Sequence, residues 1–87
     1  MASTVEDAEY AILQALLKRT RESRGISQRA LSARLGRMSS YIQKIENGER
    51  RIDVIEFLRI CDLLEFNEQD LLKELRTQIA DSLKKRD

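Results

Sequence analysis

The chain has 87 residues, with 16 Lys+Arg, 15 Asp+Glu and no His, a length suited to one domain rather than two. Hydrophobic residues make up 41% and charged residues 36%, so a packed core is within reach and the composition is not that of a disordered chain. One Cys and no His leave no zinc site, no Ser-His or Cys-His nucleophile pair, no haem ligand pair and no internal disulfide. No cofactor or metal is expected, and a reducing cytoplasm is the expected compartment.

Residues 1–9 carry acids rather than a basic stretch and an apolar run, which is not the pattern of a secretory signal. Ser3 with Glu6 forms a capping box that opens a long helix, and Val5, Ile12, Leu16 and Leu17 give it an apolar stripe at helical spacing. Gly25 suits a left-handed stop. Ser27 then caps a second helix over 28–35, with Leu31 and Leu35 inward and Gly36 ending it. A third helix is expected from Met38 or Ser39 to Asn47, with Ile42 and Ile45 inward and Gly48 as its stop. Asp53 with Glu56 is a box-like start (an acid replacing Ser or Thr) for a fourth helix over 54–64. Its apolar side is Val54, Phe57, Leu58, Cys61 and Leu64. Asn67 caps a last helix bearing Leu71, Leu72, Leu75, Ile79 and Leu83, and residues 84–87 are expected to fray. No apolar run approaches the ~18–20 residues that span a bilayer, so no membrane contact is expected. The fold class is all-α: five helices with short joints, read as one domain over 1–87.

Charge is segregated along this chain. Residues 1–17 sum to −3, residues 18–51 hold ten bases against three acids for +7, and residues 52–87 sum to −3, which returns the net +1. A strongly basic third is the footprint of a polyanion binder, or else a solvated face with acids nearby in space. An isolated helix of ~9 residues is unstable in water. Leu31, Leu35, Ile42 and Ile45 must therefore share a core with the first helix and with Val54, Phe57 and Leu58. The face of the third helix left over is Ser39, Ser40, Gln43, Lys44 and Asn47. It is polar, free of bulky apolar residues and able to lie in a groove.

Two short helices joined by a tight glycine turn make a helix-turn-helix, in which the second helix enters the major groove. Here it occupies 27–47. Gly-Ile-Ser-Gln-Arg-Ala-Leu-Ser-Ala-Arg-Leu-Gly at 25–36, followed by Ser-Tyr-Ile-Gln-Lys-Ile-Glu-Asn-Gly-Glu-Arg-Arg at 40–51, closely resembles the Cro/phage-repressor (XRE) family. The match runs over about 21–72, with a helical extension over about 73–84. The resemblance implies a λ-repressor-like five-helix domain with extended N- and C-terminal helices, acting on double-stranded operator DNA. It implies base readout by Ser39, Ser40, Gln43 and Lys44, since Lys donates to guanine O6/N7 and Ser is a short, promiscuous reader. Gln28, in the first turn of the second helix, matches the family's phosphate clamp, where backbone N–H groups and the dipole attract an anion. Arg37, Asn47, Arg50 and Arg51 flank the reading helix and suit phosphates better than bases. Arg21 and Glu46 match a structural salt bridge, whereas Arg29 and Arg34 read as ordinary surface charges.

The sequence departs from the family at three places. Met38 stands where a capping Ser, Thr or Pro is usual, so Ser39 or a backbone group must start the third helix. Arg37 replaces a frequent apolar residue, and Glu65 stands where many relatives have Gly. Ser32 occupies the close crossing of the two helices, and its hydroxyl needs a backbone acceptor. Cys61 reads as a small buried hydrophobe.

One reading helix covers only a few base pairs, so a homodimer on a near-palindromic operator is expected. The C-terminal stripe at 72, 75, 79 and 83 either packs on the first helix within one chain or forms a two-fold pair, with the N-terminal helix as another candidate surface. The function expected is a transcription regulator, a repressor before an activator. An antitoxin or a restriction–modification controller of the same fold is an alternative, and so, from a different class, is a protein-interaction adaptor that does not bind DNA. Nothing convergent points to an enzyme.

Overall fold

The computed structural model describes residues 5–84. The expected Ser3–Glu6 box, the side chain of Val5 and residues 85–87 lie outside what is described. Five helices follow one another: α1 (Val5–Ser23), α2 (Gln28–Arg34), α3 (Tyr41–Glu46), α4 (Val54–Leu63) and α5 (Glu68–Lys84). No described helix is long and apolar enough to cross a membrane.

Local chemistry sets most boundaries as expected. Ser27 Oγ accepts the Ala30 N–H at 3.0 Å, Asp53 Oδ1 accepts the Glu56 N–H at 2.8 Å, and Asn67 Oδ1 accepts the Gln69 N–H at 2.8 Å. Each cap satisfies an N-terminal donor that a helix cannot satisfy itself. The stops after α1, α2, α3 and α4 all pass through a left-handed residue: Gly25, Gly36, Gly48 and, unusually, Glu65 at φ 52. The Phe66 N–H reaches the Cys61 carbonyl at 2.9 Å across that last stop. α4 thus ends in the form glycine would give it, but through a residue whose Cβ disfavours that form. Arg24 spans the same end, its Nε donating to the Leu64 carbonyl at 2.8 Å and its Nη2 to that of Glu65 at 3.0 Å.

The core is built from Leu16 and Leu17 of α1, Leu31 of α2, Tyr41, Ile42 and Ile45 of α3, Phe57, Ile60 and Cys61 of α4 with Leu64 at its cap, and Leu71 of α5. Three expectations need correction. α3 starts at Tyr41, two to three residues late, and Asn47 is its cap rather than its last turn. Val54 is 71% exposed and Leu58 37% exposed, whereas Ile60 is buried. The inward stripe of α4 is therefore 57, 60, 61 and 64, and the backward extension of that stripe is Glu56, not Val54. On α5 the fully buried residue is Leu71, while Leu72 and Leu83 are exposed and Leu75 packs at the core edge. Lys84 belongs to α5 rather than to a frayed end. α1 and α5 lie together, joined at their surface by Arg19, which donates to both carboxylate oxygens of Glu74 at 2.9 and 2.6 Å.

Candidate nucleic-acid interface

α2 and α3 are seven and six residues long, too short to persist without packing. The structure holds α3 at both ends by side chains from other elements. At the N-terminal end no Ser40 side-chain cap forms. The Met38 carbonyl accepts the Tyr41 N–H at 2.9 Å, and Ser32 Oγ of α2 accepts the Ile42 N–H at 3.0 Å. The same hydroxyl donates to the Gln28 carbonyl at 2.8 Å. Ser32 is wholly buried, so the small residue at the crossing is also the cap of α3. That borrowed cap is why α3 begins at 41: the first helical N–H groups are served from outside, and Ser39 and Ser40 remain in the turn.

At the C-terminal end Gln14 Nε2 of α1 donates to the Ile45 carbonyl at 3.0 Å. A Cβ on Gly48 would stand 3.1 Å from that same nitrogen, and Gly48 has φ 87. The positive φ therefore calls for glycine at this stop, and a Cβ there would also push the Gln14 amide aside. Below it, Arg21 Nε and Nη2 grip Glu46 Oε2 and Oε1 at 2.6 and 3.0 Å, Arg21 Nη1 donates to the Ile26 carbonyl at 2.8 Å, and Gln28 Nε2 donates to Glu46 Oε1 at 2.8 Å. The Arg21 and Glu46 side chains are 8% and 4% exposed. The expected pair is present and is part of a network that ties α1, the first turn of α2 and the last turn of α3. The carboxylate pushes the Arg21 guanidinium further up from its ordinary value, chiefly through those hydrogen bonds.

The outward residues fall into two groups. Gln43 and Lys44 are exposed on α3, and among the described residues neither side chain has a hydrogen-bond or ion-pair partner. Ser39 is exposed and Ser40 half-buried in the turn before it. The flanking polar residues are already engaged. Asn47 Nδ2 donates to Glu49 Oε2 at 2.6 Å, and its Oδ1 accepts the Glu49 N–H. Arg51 lies over the Tyr10 ring at 4.4 Å and 3.5 Å from Asp7, while the Tyr10 hydroxyl accepts the Ile52 N–H at 3.0 Å. Gln28 has one amide N–H committed to Glu46, leaving its second N–H and its oxygen.

Arg37 and Arg50 lie over one aromatic ring, that of Tyr41, at 4.9 and 5.0 Å. With Met38, Ser40 and Lys44 they line a shallow cleft of about 120 Å³. Behind the ring sits Glu56, 5% exposed; its Oε2 is 3.4 Å from Arg37 Nη2, and its Oε1 is buried with no hydrogen-bond partner among the described residues. Burial first, then the neighbouring carboxylate, hold the Tyr41 phenol above its ordinary pKa, while Arg37 and Arg50 pull it down. Asp53 caps α4, but the return bond of a full capping box is replaced by this approach of Glu56 to Arg37. Sequence reading missed Tyr41, Glu56, Tyr10 and Gln14. The i, i+4 spacing of Tyr41 to Ile45 was a usable signal for the first, and the α4 stripe extended back four residues from Ile60 was one for the second.

A short buried-faced helix set across another after a tight turn, with an outward polar face flanked by cations, is the geometry of a helix-turn-helix DNA-binding regulator. The chain matches a family model described as a helix-turn-helix domain over residues 12–75. A solved structure described as an XRE-family like protein from Pseudomonas syringae pv. tomato str. DC3000 is 42% identical, the match covering 85% of this chain and 90% of that one with a TM-score of 0.79. No curated protein matches. The chain belongs to the XRE family of helix-turn-helix proteins.

Proposed function

We propose that this chain is one helix-turn-helix unit that binds double-stranded DNA sequence-specifically, as a homodimer on a near-palindromic operator, and represses by occupying it. In this reading α3 lies in the major groove. Lys44 and Gln43 reach base edges, Ser39 and Ser40 approach from the preceding turn, and Arg37 and Arg50 take backbone phosphates. Gln28, Asn47 and Arg51 contribute phosphate contacts through the donors their present partners leave over. The observation that carries the reading is the division of α3: Tyr41, Ile42 and Ile45 are buried while the Gln43 and Lys44 side chains are exposed without partners among the described residues, beside Arg37 and Arg50 stacked on the Tyr41 ring, Arg37 with one guanidinium N–H toward Glu56.

The decisive experiment is selection of bound duplexes from a random pool, repeated with Lys44→Ala. The expected result is loss of preference at one base position in each half-site, with modest loss of general affinity. Affinity for the selected duplex should fall steeply between 50 and 200 mM salt, because phosphate contacts release counterions. A flat salt profile, or an unchanged preference in Lys44→Ala, overturns the reading. The homodimer is supported by the α5 face on which Leu72, Leu75, Arg76 and Ile79 line a groove of about 360 Å³, with Leu83 also exposed. Sedimentation of Leu72→Glu beside the parent chain tests it: a dimeric parent and a monomeric variant are expected.

A further inference from the structure

Tyr41 carries two guanidinium groups within about 5 Å of its ring, a concentration of like charge that needs a counter-charge. Glu56, buried beside Arg37 and Tyr41, supplies it from inside the protein. The pairing is incomplete: one oxygen approaches Arg37 at 3.4 Å, the Tyr41 phenol adds a neutral donor to the same carboxylate, and Oε1 has no hydrogen-bond partner among the described residues, so Arg37 is the cation nearest this carboxylate. Arg37 is the only one of the two with freedom to leave, its side chain being 41% exposed against 7% for Glu56. Were Arg37 to swing wholly onto a DNA phosphate, a buried carboxylate would lose its ion partner, which is strongly unfavourable. A guanidinium, however, has five N–H donors in a planar fork. With one on Glu56 it can still present others outward, provided the phosphate stands where the fork already points.

We propose that Glu56 is a specificity-determining residue of the DNA interface, a buried counter-charge that restrains Arg37 beside Tyr41. Arg37 then engages a backbone phosphate only where that phosphate can be reached without abandoning the carboxylate. A correctly seated duplex meets that condition, and a loosely held duplex of unrelated sequence does not. Glu56 acts through Arg37 and is a positioning residue; it touches no DNA. The inference rests on the reading of Arg37 as a phosphate contact.

The test compares the best duplex selected from the random pool with an unrelated duplex of equal length. For Glu56→Gln, with folding checked by its helical circular dichroism and melting, binding to the unrelated duplex is expected to tighten about tenfold. Its salt slope should steepen by ~0.9, the signature of one added phosphate contact. The selected duplex should gain less than about threefold, so the ratio between them narrows. Adding Arg37→Gln to Glu56→Gln should return both affinities to those of Arg37→Gln alone. Arg37→Lys, a surface change that retains charge, supplies a second line: an ammonium cannot serve both anions as a fork, so the selected duplex should lose about tenfold while the unrelated one is unmoved. Unchanged slope and ratio in folded Glu56→Gln, or an unchanged selected-duplex affinity in Arg37→Lys, overturn this inference while leaving DNA binding itself intact. A parent chain that binds no duplex, or an Arg37→Gln that costs no affinity, overturns it together with the reading beneath it.

Discussion

A buried carboxylate stands at each end of α3, one its own last residue and one from α4, and the two are in opposite states. Glu46, at the C-terminal end, accepts from Arg21 twice and from Gln28 once. Glu56, near the N-terminal end, has one long approach from Arg37 and the neutral Tyr41 phenol beside it, and its Oε1 has no hydrogen-bond partner among the described residues. Both side chains are under 10% exposed, so burial does not distinguish them. The number of donors does. A buried acid surrounded by donors makes a joint, whereas one short of donors holds a movable cation in place. The first end is locked by its donors; the second keeps a cation, Arg37, whose side chain is 41% exposed.

The difference can be attacked in order of expected effect. Arg21→Ala strips Glu46 of its ion partner and should cost roughly 3–5 kcal/mol in urea unfolding. Glu56→Gln in the same assay should stay within about 1 kcal/mol, because a poorly paired buried charge is replaced by a neutral group of the same shape. Equal losses would erase the contrast. Ser32→Ala, which orphans the Ile42 N–H at the N-terminal end, should cost about 1–3 kcal/mol, and Gln14→Ala at the other end about 1 kcal/mol. The ordering matters here: if Gln14→Ala proves the costlier, α3 is suspended chiefly from α1. Glu65→Gly, remote from α3, should stabilise by about 1 kcal/mol by removing left-handed strain, a gain that leaves DNA binding unchanged at assay temperature.

The smallest effect is alkaline. The Tyr41 phenol is raised in the folded chain by burial and by Glu56. Its share of stability is therefore complete below its unfolded pKa of about 10 and is lost as pH climbs through the raised value. Cys61, whose thiol burial pushes up to about 11, adds a similar loss from its unfolded range upward. Melting temperature between pH 8 and 11.5 should accordingly decline less in Tyr41→Phe than in the parent, but should still decline.

Much of this architecture was legible because it depends on local chemistry. Ser27, Asp53 and Asn67 cap where short polar side chains precede apolar periodicity, and Gly25, Gly36 and Gly48 stop helices where a positive φ is needed. The Arg21–Glu46 pair came from family resemblance, not from spacing. What sequence alone did not reveal depends on neighbours distant in the chain. Ser32 caps a helix ten residues further on, a role that no local rule assigns. Val54 and Leu58 satisfy helical spacing as well as Ile60 does, and only the direction from which α2 and α3 approach α4 decides which stripe is covered. Glu56 read as the partner of Asp53 in a box-like helix start; that it faces Arg37 and Tyr41 instead depends on the α2–α3 turn folding back over α4.

The exposed side chains of Gln43 and Lys44 are absent from every contact that holds α3. Its cap comes from Ser32, its terminal carbonyl is met by Gln14, and its inward grip comes from Tyr41, Ile42, Ile45 and Glu46. The residues proposed to read DNA and the residues that hold the helix are thus separate letters of one six-residue word. If those two residues read bases as proposed, exchanging them changes the target sequence without disturbing any contact that holds α3.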